Sequence, residues 1–174
     1  MYDQLDSLIK QFYPSREKVG EFTPIEAEDL SQQYASLLAH TDHMTVTVEA
    51  WHNSLVDVHV LEVDQHANHY ARKIILTRQR DGIPVQFGIM RIDLSRLPEI
   101  VRMEIESRAL PLGRIMIRHH LLREVELCQL WRVLPGEELQ AQLQCNPEVP
   151  IFGRTARILT EGEVLVELLE IVLS

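Results

Sequence analysis

The chain has 174 residues, of which 45% are hydrophobic and 25% charged, and this composition is typical of one globular domain that buries its own core. Its formal net charge of −9 works against binding to nucleic acid or to an anionic membrane, so an anionic ligand would need arginines gathered at one place. No apolar run approaches the ~20 residues that are needed to cross a bilayer.

The first forty residues are predicted to form the helical N-terminal part of the domain. Apolar residues at helical spacing predict a helix over residues 2–13, which ends before Pro14. A second helix is predicted to begin at Thr23, a capping residue followed by Pro24, and to run to about Leu38.

Alternation of apolar and polar residues predicts strands from residue 45 onward. The Asp81-Gly82 and Glu161-Gly162 dipeptides stand between consecutive strands and favour hairpins, hence antiparallel pairing. The predicted strands cover residues 45–51, 55–63, 70–78, 83–92, 121–134, 151–160 and 163–173.

A central helix interrupts the strands and is predicted over residues 93–107, with Asp93 as its cap. Its apolar residues are expected to face the sheet; they are Leu94, Leu97, Ile100, Val101 and Ile105. Residues 1–174 then form one α+β domain, a single antiparallel sheet over 44–173 with flanking helices.

The segment Leu110-Pro111-Leu112-Gly113-Arg114 follows the central helix. Pro111 ends regular helix, Gly113 permits a tight turn, and the apolar residues 115–117 are expected to begin another strand. A turn of this kind exposes backbone amides and can hold an anion. The alternative is an ordinary connection, since proline and glycine are common in turns.

Two charged residues lie on apolar strand faces. Arg72 shares a face with Ile74 and Leu76, and Glu170 shares one with Leu168, although Glu167 on the other face competes for a functional role. A buried guanidinium needs an anion. Either Arg72 and Glu170 form a structural ion pair, or they line a pocket that binds a carboxylate and a hydroxyl.

The sequence resembles the chorismate lyase (chorismate pyruvate-lyase) family from about residue 25 onward. Four segments in the same order are similar to family segments. They are Asp42-His43-Met44-Thr45, Tyr70-Ala71-Arg72-Lys73-Ile74-Ile75-Leu76 with its Asp-Gly hairpin, Leu110-Pro111-Leu112-Gly113-Arg114, and Phe152-Gly153-Arg154 through Glu170-Ile171-Val172-Leu173.

The resemblance implies an antiparallel sheet with a buried pocket and the conversion of chorismate to 4-hydroxybenzoate and pyruvate without metal or organic cofactor. Arg72, with the backbone amides at Met44 and Leu112 beside Gly113, would bind the ring carboxylate. Glu170 would meet the ring hydroxyl and assist proton removal. Arg154 is the best candidate for the second carboxylate of chorismate, ahead of Arg108, Arg114 and Arg157.

The main alternative is a ligand-binding module of the same fold. Effector-sensing domains of some GntR-type repressors resemble chorismate lyase but do not turn their ligands over. Low basic charge in the first forty residues and the net charge of −9 argue against a DNA-reading repressor, which leaves a stand-alone module. Product formation from chorismate would separate the two.

The remaining features predict no metal site and a reducing compartment. The pairs His66/His69 and His119/His120 have no convergent cysteine or carboxylate spacing and are predicted to lie on the surface. Cys128 and Cys145 are too few for a disulfide framework, and acidic Asp3 and Asp6 replace the basic start of a signal peptide. We therefore expect a cytoplasmic protein. The last strand, apolar on both faces, predicts either a central strand or a homodimer contact.

Overall fold

The computed structural model describes residues 2–121 and 124–174. The strands are β1 (Gly20–Ile25), β2 (Val56–His66), β3 (His69–Arg78), β4 (Pro84–Asp93), β5 (Glu124–Pro135), β6 (Ile151–Thr160) and β7 (Glu163–Val172). The α-helices are α1 (Asp3–Ile9), α2 (Gln32–Leu38), α3 (Met44–His52), α4 (Glu99–Glu106), α5 (Leu112–Arg118) and α6 (Glu137–Leu143).

All seven strands pair antiparallel in one sheet, in the order β1-β5-β6-β7-β4-β3-β2. Strand β7 lies between β6 and β4, which explains why both of its faces are apolar. The predicted α+β class with a single antiparallel sheet is therefore confirmed.

Helices cover both faces of the sheet. Leu5 and Leu8 of α1 and Leu139 of α6 pack on one face, against residues such as Phe87 and Trp131. The other face is covered by α2, α3, α4 and α5, whose apolar residues form two further clusters with the strands. The cavity that contains the candidate site residues lies on this second face.

The predicted strand over residues 45–51 is wrong, because this segment belongs to helix α3. Its threonines and valines have high strand propensity, but that preference is weak compared with packing. Met44, Thr45 and Val48 are buried on one side of α3, while Val46 is 48% exposed. The buried positions follow the period of a helix, and tertiary contacts decide the structure.

The predicted helix beginning at Thr23 is also wrong in its first half. Thr23 and Pro24 lie in β1, paired with residues of β5. Proline is tolerated there because β1 is an edge strand, where one side of the backbone makes no ladder hydrogen bonds. The helix is confined to α2, where the Ser31 hydroxyl accepts a hydrogen bond from the amide of Tyr34.

The region 93–118 differs from the prediction in two ways. Asp93 caps a 3-10 turn over Leu94–Arg96, and α4 begins only after Pro98, which leaves Ile100 65% exposed instead of facing the sheet. Residues 115–117 are not a strand, because Pro111 is the N-cap of helix α5.

No helix in the described ranges is both long and apolar enough to cross a membrane.

Candidate functional site

A cavity lies between the second face of the sheet and the beginnings of α3 and α5. It offers about 50 Å³ to the centres of water-sized atoms, several times what one water needs. Its floor follows the strand register. Across β3, β4 and β7 the rows are Arg72–Met90–Leu168 and Ile74–Gly88–Glu170, and the next row pairs Leu76 with Gln86.

The roof of the cavity is formed where α3 and α5 approach each other. His43, Met44 and Thr45 line it from α3, and Leu112 and Gly113 line it from α5. Amides in the first turn of a helix have no partner within the helix and can donate to a ligand.

Gly113 is needed for close approach and not for a tight turn. A Cβ atom at this position would lie 2.8 Å from Oγ1 of Thr45 and 3.4 Å from Cβ of His43. Only a residue without a side chain lets α5 pack this closely on α3. The expected glycine turn is thus replaced by the first turn of helix α5, whose residues Leu112 and Gly113 line the cavity.

Arg72 is a buried charge without an anionic partner in the described part of the chain. Its side chain is 1% exposed, and Nη2 donates to the carbonyl of Leu110 at 3.1 Å. Nε and Nη1 are buried and have no hydrogen-bond partner among the described residues. Burial lowers the pKa of Arg72 below its ordinary value, and the nearby Tyr70 hydroxyl opposes this. Two donor nitrogens of the guanidinium are therefore free to bind an anion, which the described residues do not supply.

Arg154, equally buried, has a full set of protein partners. Its Nε donates to Oε2 of Glu170 at 2.7 Å, while Nη1 and Nη2 donate to the carbonyls of His40 at 2.7 Å and Asp42 at 3.2 Å. Arg154 thus fixes the carboxylate of Glu170 and ties the loop before α3 to the sheet. Of the two alternatives for Arg72 and Glu170, the structural ion pair between them is wrong, because Glu170 pairs with Arg154.

His43 adds a titratable group to the cavity. Burial lowers its pKa from the usual 6.5, the Arg154 charge lowers it further, and Glu170 and Asp42 oppose the shift. The imidazole is therefore neutral near pH 7, with both a donor and an acceptor nitrogen.

The structure brings the six favoured site residues together at one cavity, whereas Arg108, Arg114, Arg157 and Glu167 do not line it. Glu167 lies away from the cavity and pairs with Arg91. The cavity-lining residues among the predictions are Arg72, Glu170, Met44, Leu112, Gly113 and Arg154.

The other candidate arginines and histidines have different neighbours. Arg114 forms an ion pair with Glu49 of α3, and Arg157 lies 4.0 Å from Glu126. His119 contacts Glu104 of α4. Within the described residues, no group of three or more His, Cys, Asp or Glu side chains is arranged to hold a metal ion.

Sequence reasoning missed Gln86, Gly88 and His43. Gln86 and Gly88 lie on the cavity-facing side of β4 together with Met90. The same parity test that identified Arg72 also identifies Gln86, a polar residue on an apolar strand face. His43 could not be found in this way because it is the N-cap of helix α3 and does not lie on a strand.

Comparisons with known proteins reveal similarity of fold only. No protein-family model matches the sequence, and no curated protein sequence matches it. PhnF from Mycobacterium smegmatis superposes with a TM-score of 0.53 at 10% identity, over 97% of this chain and 92% of that one. The ligand-binding domain named as that of a GntR-family transcriptional regulator from Bordetella bronchiseptica superposes with a TM-score of 0.50 at 12% identity, over 68% of this chain and 86% of that one. The chain has the chorismate lyase-like α+β fold, which ligand-binding domains of GntR-family regulators share.

Proposed function

We propose that the cavity binds a small aromatic carboxylic acid and that the guanidinium of Arg72 pairs with the carboxylate of this ligand. The observation that carries this proposal is the buried guanidinium of Arg72, whose Nε and Nη1 have no partner among the described residues. Leaving a charge buried and unpaired costs several kcal/mol in the ligand-free protein. A carboxylate would supply both the missing charge and the missing acceptors.

The rest of the cavity suits an aromatic acid. Backbone amides at Met44 and Leu112 add donors beside Arg72, and the apolar side chains of Ile74, Met90 and Leu168 give a surface for a ring. A cavity that is mostly apolar, with a few convergent polar groups, is typical of small-molecule sites. The likeness of fold to a ligand-binding domain supports binding without requiring turnover.

Chorismate pyruvate-lyase activity is the second candidate, and the position of Glu170 favours it. The carboxylate lies on the same cavity as Arg72, with Met44 and Leu112, as the family resemblance implies. In this reaction the ring carbon that carries the hydroxyl loses a proton, and the electrons of its C–H bond complete the aromatic ring of 4-hydroxybenzoate. The adjacent ether bond breaks, and the released enolpyruvate takes up a proton and becomes pyruvate. Aromatisation supplies the driving force, so the protein needs to supply mainly position and charge, with Glu170 near the ring hydroxyl and the departing proton.

One experiment separates the two candidates. The purified protein is incubated with chorismate, pyruvate is measured by a coupled dehydrogenase assay, and binding of 4-hydroxybenzoate is measured by calorimetry. Release of pyruvate supports the lyase, whereas binding without pyruvate supports the ligand-binding module. Absence of both would contradict the proposed function.

The variant Arg72→Met tests the carrying observation. Methionine has a similar length without the charge, so we expect binding of 4-hydroxybenzoate to fall at least roughly 100-fold while the protein stays folded. Arg80→Met is the matched control, because the Arg80 side chain is half exposed in the β3–β4 turn. Retention of binding in Arg72→Met would refute the role of Arg72.

A further inference from the structure

We propose that Gln86 is a specificity-determining residue, which with Glu170 forms a polar end of the cavity and selects ligands with a hydroxyl group opposite the carboxylate. This inference rests on the proposed function, because it assumes that an aromatic acid binds at Arg72.

Gln86 is a buried polar side chain whose amide oxygen has no hydrogen-bond partner among the described residues. It is 4% exposed, lines the cavity, and its Oε1 is buried with no hydrogen-bond partner among the described residues. Its neighbours in the strand register are Leu76 and Val172, which offer only backbone groups already paired in the sheet. A buried amide without a partner destabilises the protein. A ligand group that donates a hydrogen bond to Oε1 of Gln86 would remove this cost.

The register places Gln86 far from Arg72 and close to Glu170. From strand spacing and rise per residue, the Cα atoms of Gln86 and Arg72 are about 14 Å apart, and those of Gln86 and Glu170 about 8 Å apart. Arg72 lies in one row of the floor, Glu170 in the next and Gln86 in the one beyond. Arg72 and Gln86 therefore lie at opposite ends of the cavity, with Glu170 in the row between them.

The space between these ends is apolar. Gly88 lies in the middle row between Ile74 and Glu170, and the Ile74 side chain leans over it, since Cγ1 and Cδ1 of Ile74 lie 3.3 and 3.4 Å from the place of a Cβ atom at Gly88. A benzene ring placed above this row with its carboxylate toward Arg72 directs its para substituent toward Glu170 and Gln86. An ortho hydroxyl would remain at the Arg72 end, where it meets neither group.

The chemistry at the polar end selects a hydroxyl group. Glu170 is held by Arg154 through Oε2, and a carboxylate only accepts hydrogen bonds. A hydroxyl that donates to Glu170 can accept from Nε2 of Gln86, and a hydroxyl that donates to the unpartnered Oε1 of Gln86 leaves Glu170 to Arg154. A site built to hydrogen-bond a hydroxyl discriminates against ligands that lack it, because its polar groups then stay unpaired.

The test compares three probes by titration calorimetry: 4-hydroxybenzoate, 2-hydroxybenzoate and benzoate. The proteins are wild type, Gln86→Met, and the matched control Gln33→Met, since Gln33 lies exposed on α2. We expect wild type and the control to bind 4-hydroxybenzoate about tenfold more tightly than the other two acids, which is the effect of one hydrogen bond lost at a buried site. In Gln86→Met we expect this preference to fall to about twofold or less, with benzoate affinity unchanged.

A second readout separates selectivity from a structural role. Removal of an unsatisfied buried amide should raise the melting temperature of the ligand-free protein by a few degrees, whereas loss of a structural contact would lower it. If Gln86→Met does not fold, Gln86→Leu is measured in the same way.

The outcomes are distinguishable. An unchanged preference in Gln86→Met, a lowered melting temperature, or a wild type that binds benzoate as tightly as 4-hydroxybenzoate overturns the role of Gln86 and leaves acid binding intact. A wild type that binds none of the three acids contradicts the proposed function itself.

Discussion

Arg154 lies directly opposite Glu170 in the β6–β7 ladder, and its Nε donates to Oε2 of Glu170 at 2.7 Å. The same guanidinium donates to carbonyls of the loop that leads into α3. One side chain therefore holds both the cavity carboxylate and part of the cavity roof. Arg72 lies on the same face and is as deeply buried, yet it has no carboxylate partner in the described ranges.

The first prediction contrasts these two arginines. Arg154→Met leaves Glu170 buried without its counter-charge and removes the donors to His40 and Asp42, so we expect the free energy of unfolding to fall by about 3–5 kcal/mol. Arg72→Met removes a buried charge that lacks an anion, so its unfolding free energy should not fall and should rise by up to about 4 kcal/mol. Urea denaturation measures both. Equal losses in the two variants would show that Arg72 has a structural partner after all.

The second prediction concerns the contact between α3 and α5. Gly113→Ala places a Cβ atom 2.8 Å from Oγ1 of Thr45, and the two helices have to separate. We expect a loss of about 1–3 kcal/mol in unfolding free energy from overpacking, with weaker ligand binding because the roof amides move.

The double variant Gly113→Ala/Thr45→Ala is the control. It removes the closest clashing atom, although Cβ of Thr45 at 3.2 Å remains. Part of the stability should therefore return, and the coupling between the sites measured in a double-mutant cycle should exceed about 0.5 kcal/mol. Additive effects of the two substitutions would mean that Gly113 is required for another reason.

Six of the seven strands of this fold can be predicted from sequence, whereas β1 and the helices α3 and α5 at the cavity cannot. Strands β3, β4, β6 and β7 have clear alternation or hairpin dipeptides, which depend on local geometry alone. Helix α3 contains threonine and valine in a strand-like order, and only its packing against the sheet makes it helical. Helix α5 begins at a proline followed by a glycine, a combination that also fits a turn.

The candidate site shows the same limit. Parity along a strand indicates that Arg72 faces inward, but it leaves Glu170 and Glu167 as competing candidates on the last strand, whose two faces are both apolar. Pairing further depends on strand order, which the sequence does not reveal. Because β4 separates β3 from β7, Arg72 and Glu170 lie about 12 Å apart at Cα, and Arg154 on β6 becomes the neighbour of Glu170. The open cavity between the two charges is a consequence of this order.

The third prediction tests the middle row of the cavity floor, which contains Ile74, Gly88 and Glu170. In Gly88→Ala the added Cβ would lie 3.3 Å from Cγ1 of Ile74 and 3.5 Å from the carbonyl of Leu169, contacts that small shifts can relieve. The unfolding free energy should therefore change by less than about 1 kcal/mol. Benzoate affinity should fall roughly tenfold, since the methyl group pushes the Ile74 side chain into the space of the ring.

Acetate provides the control for this variant, because it is a carboxylate without a ring. If Gly88→Ala only fills the ring space, acetate binding at Arg72 remains as in wild type. A matching loss of acetate affinity would instead indicate a shift of β3, and an unchanged benzoate affinity would place the ring elsewhere.

The last prediction is a decrease in stability as the pH falls through the titration range of histidine. Burial lowers the pKa values of His40, His43 and His52 from the usual 6.5 in the folded protein. The unfolded chain then binds more protons than the folded chain just below that pH, so the free energy of unfolding is full above it and decreases as the pH falls. Acidic groups with lowered pKa values, such as Asp81 and Asp93, start from 3.8 and contribute only at lower pH. Urea denaturation at about pH 7.5 and about pH 5.5 measures the difference, and His43→Gln should reduce it while Gln33→Met, which removes no titratable group at an exposed position, should not. A pH dependence that His43→Gln leaves intact would mean that His43 becomes protonated as readily in the folded cavity as in the unfolded chain, despite the Arg154 charge beside it.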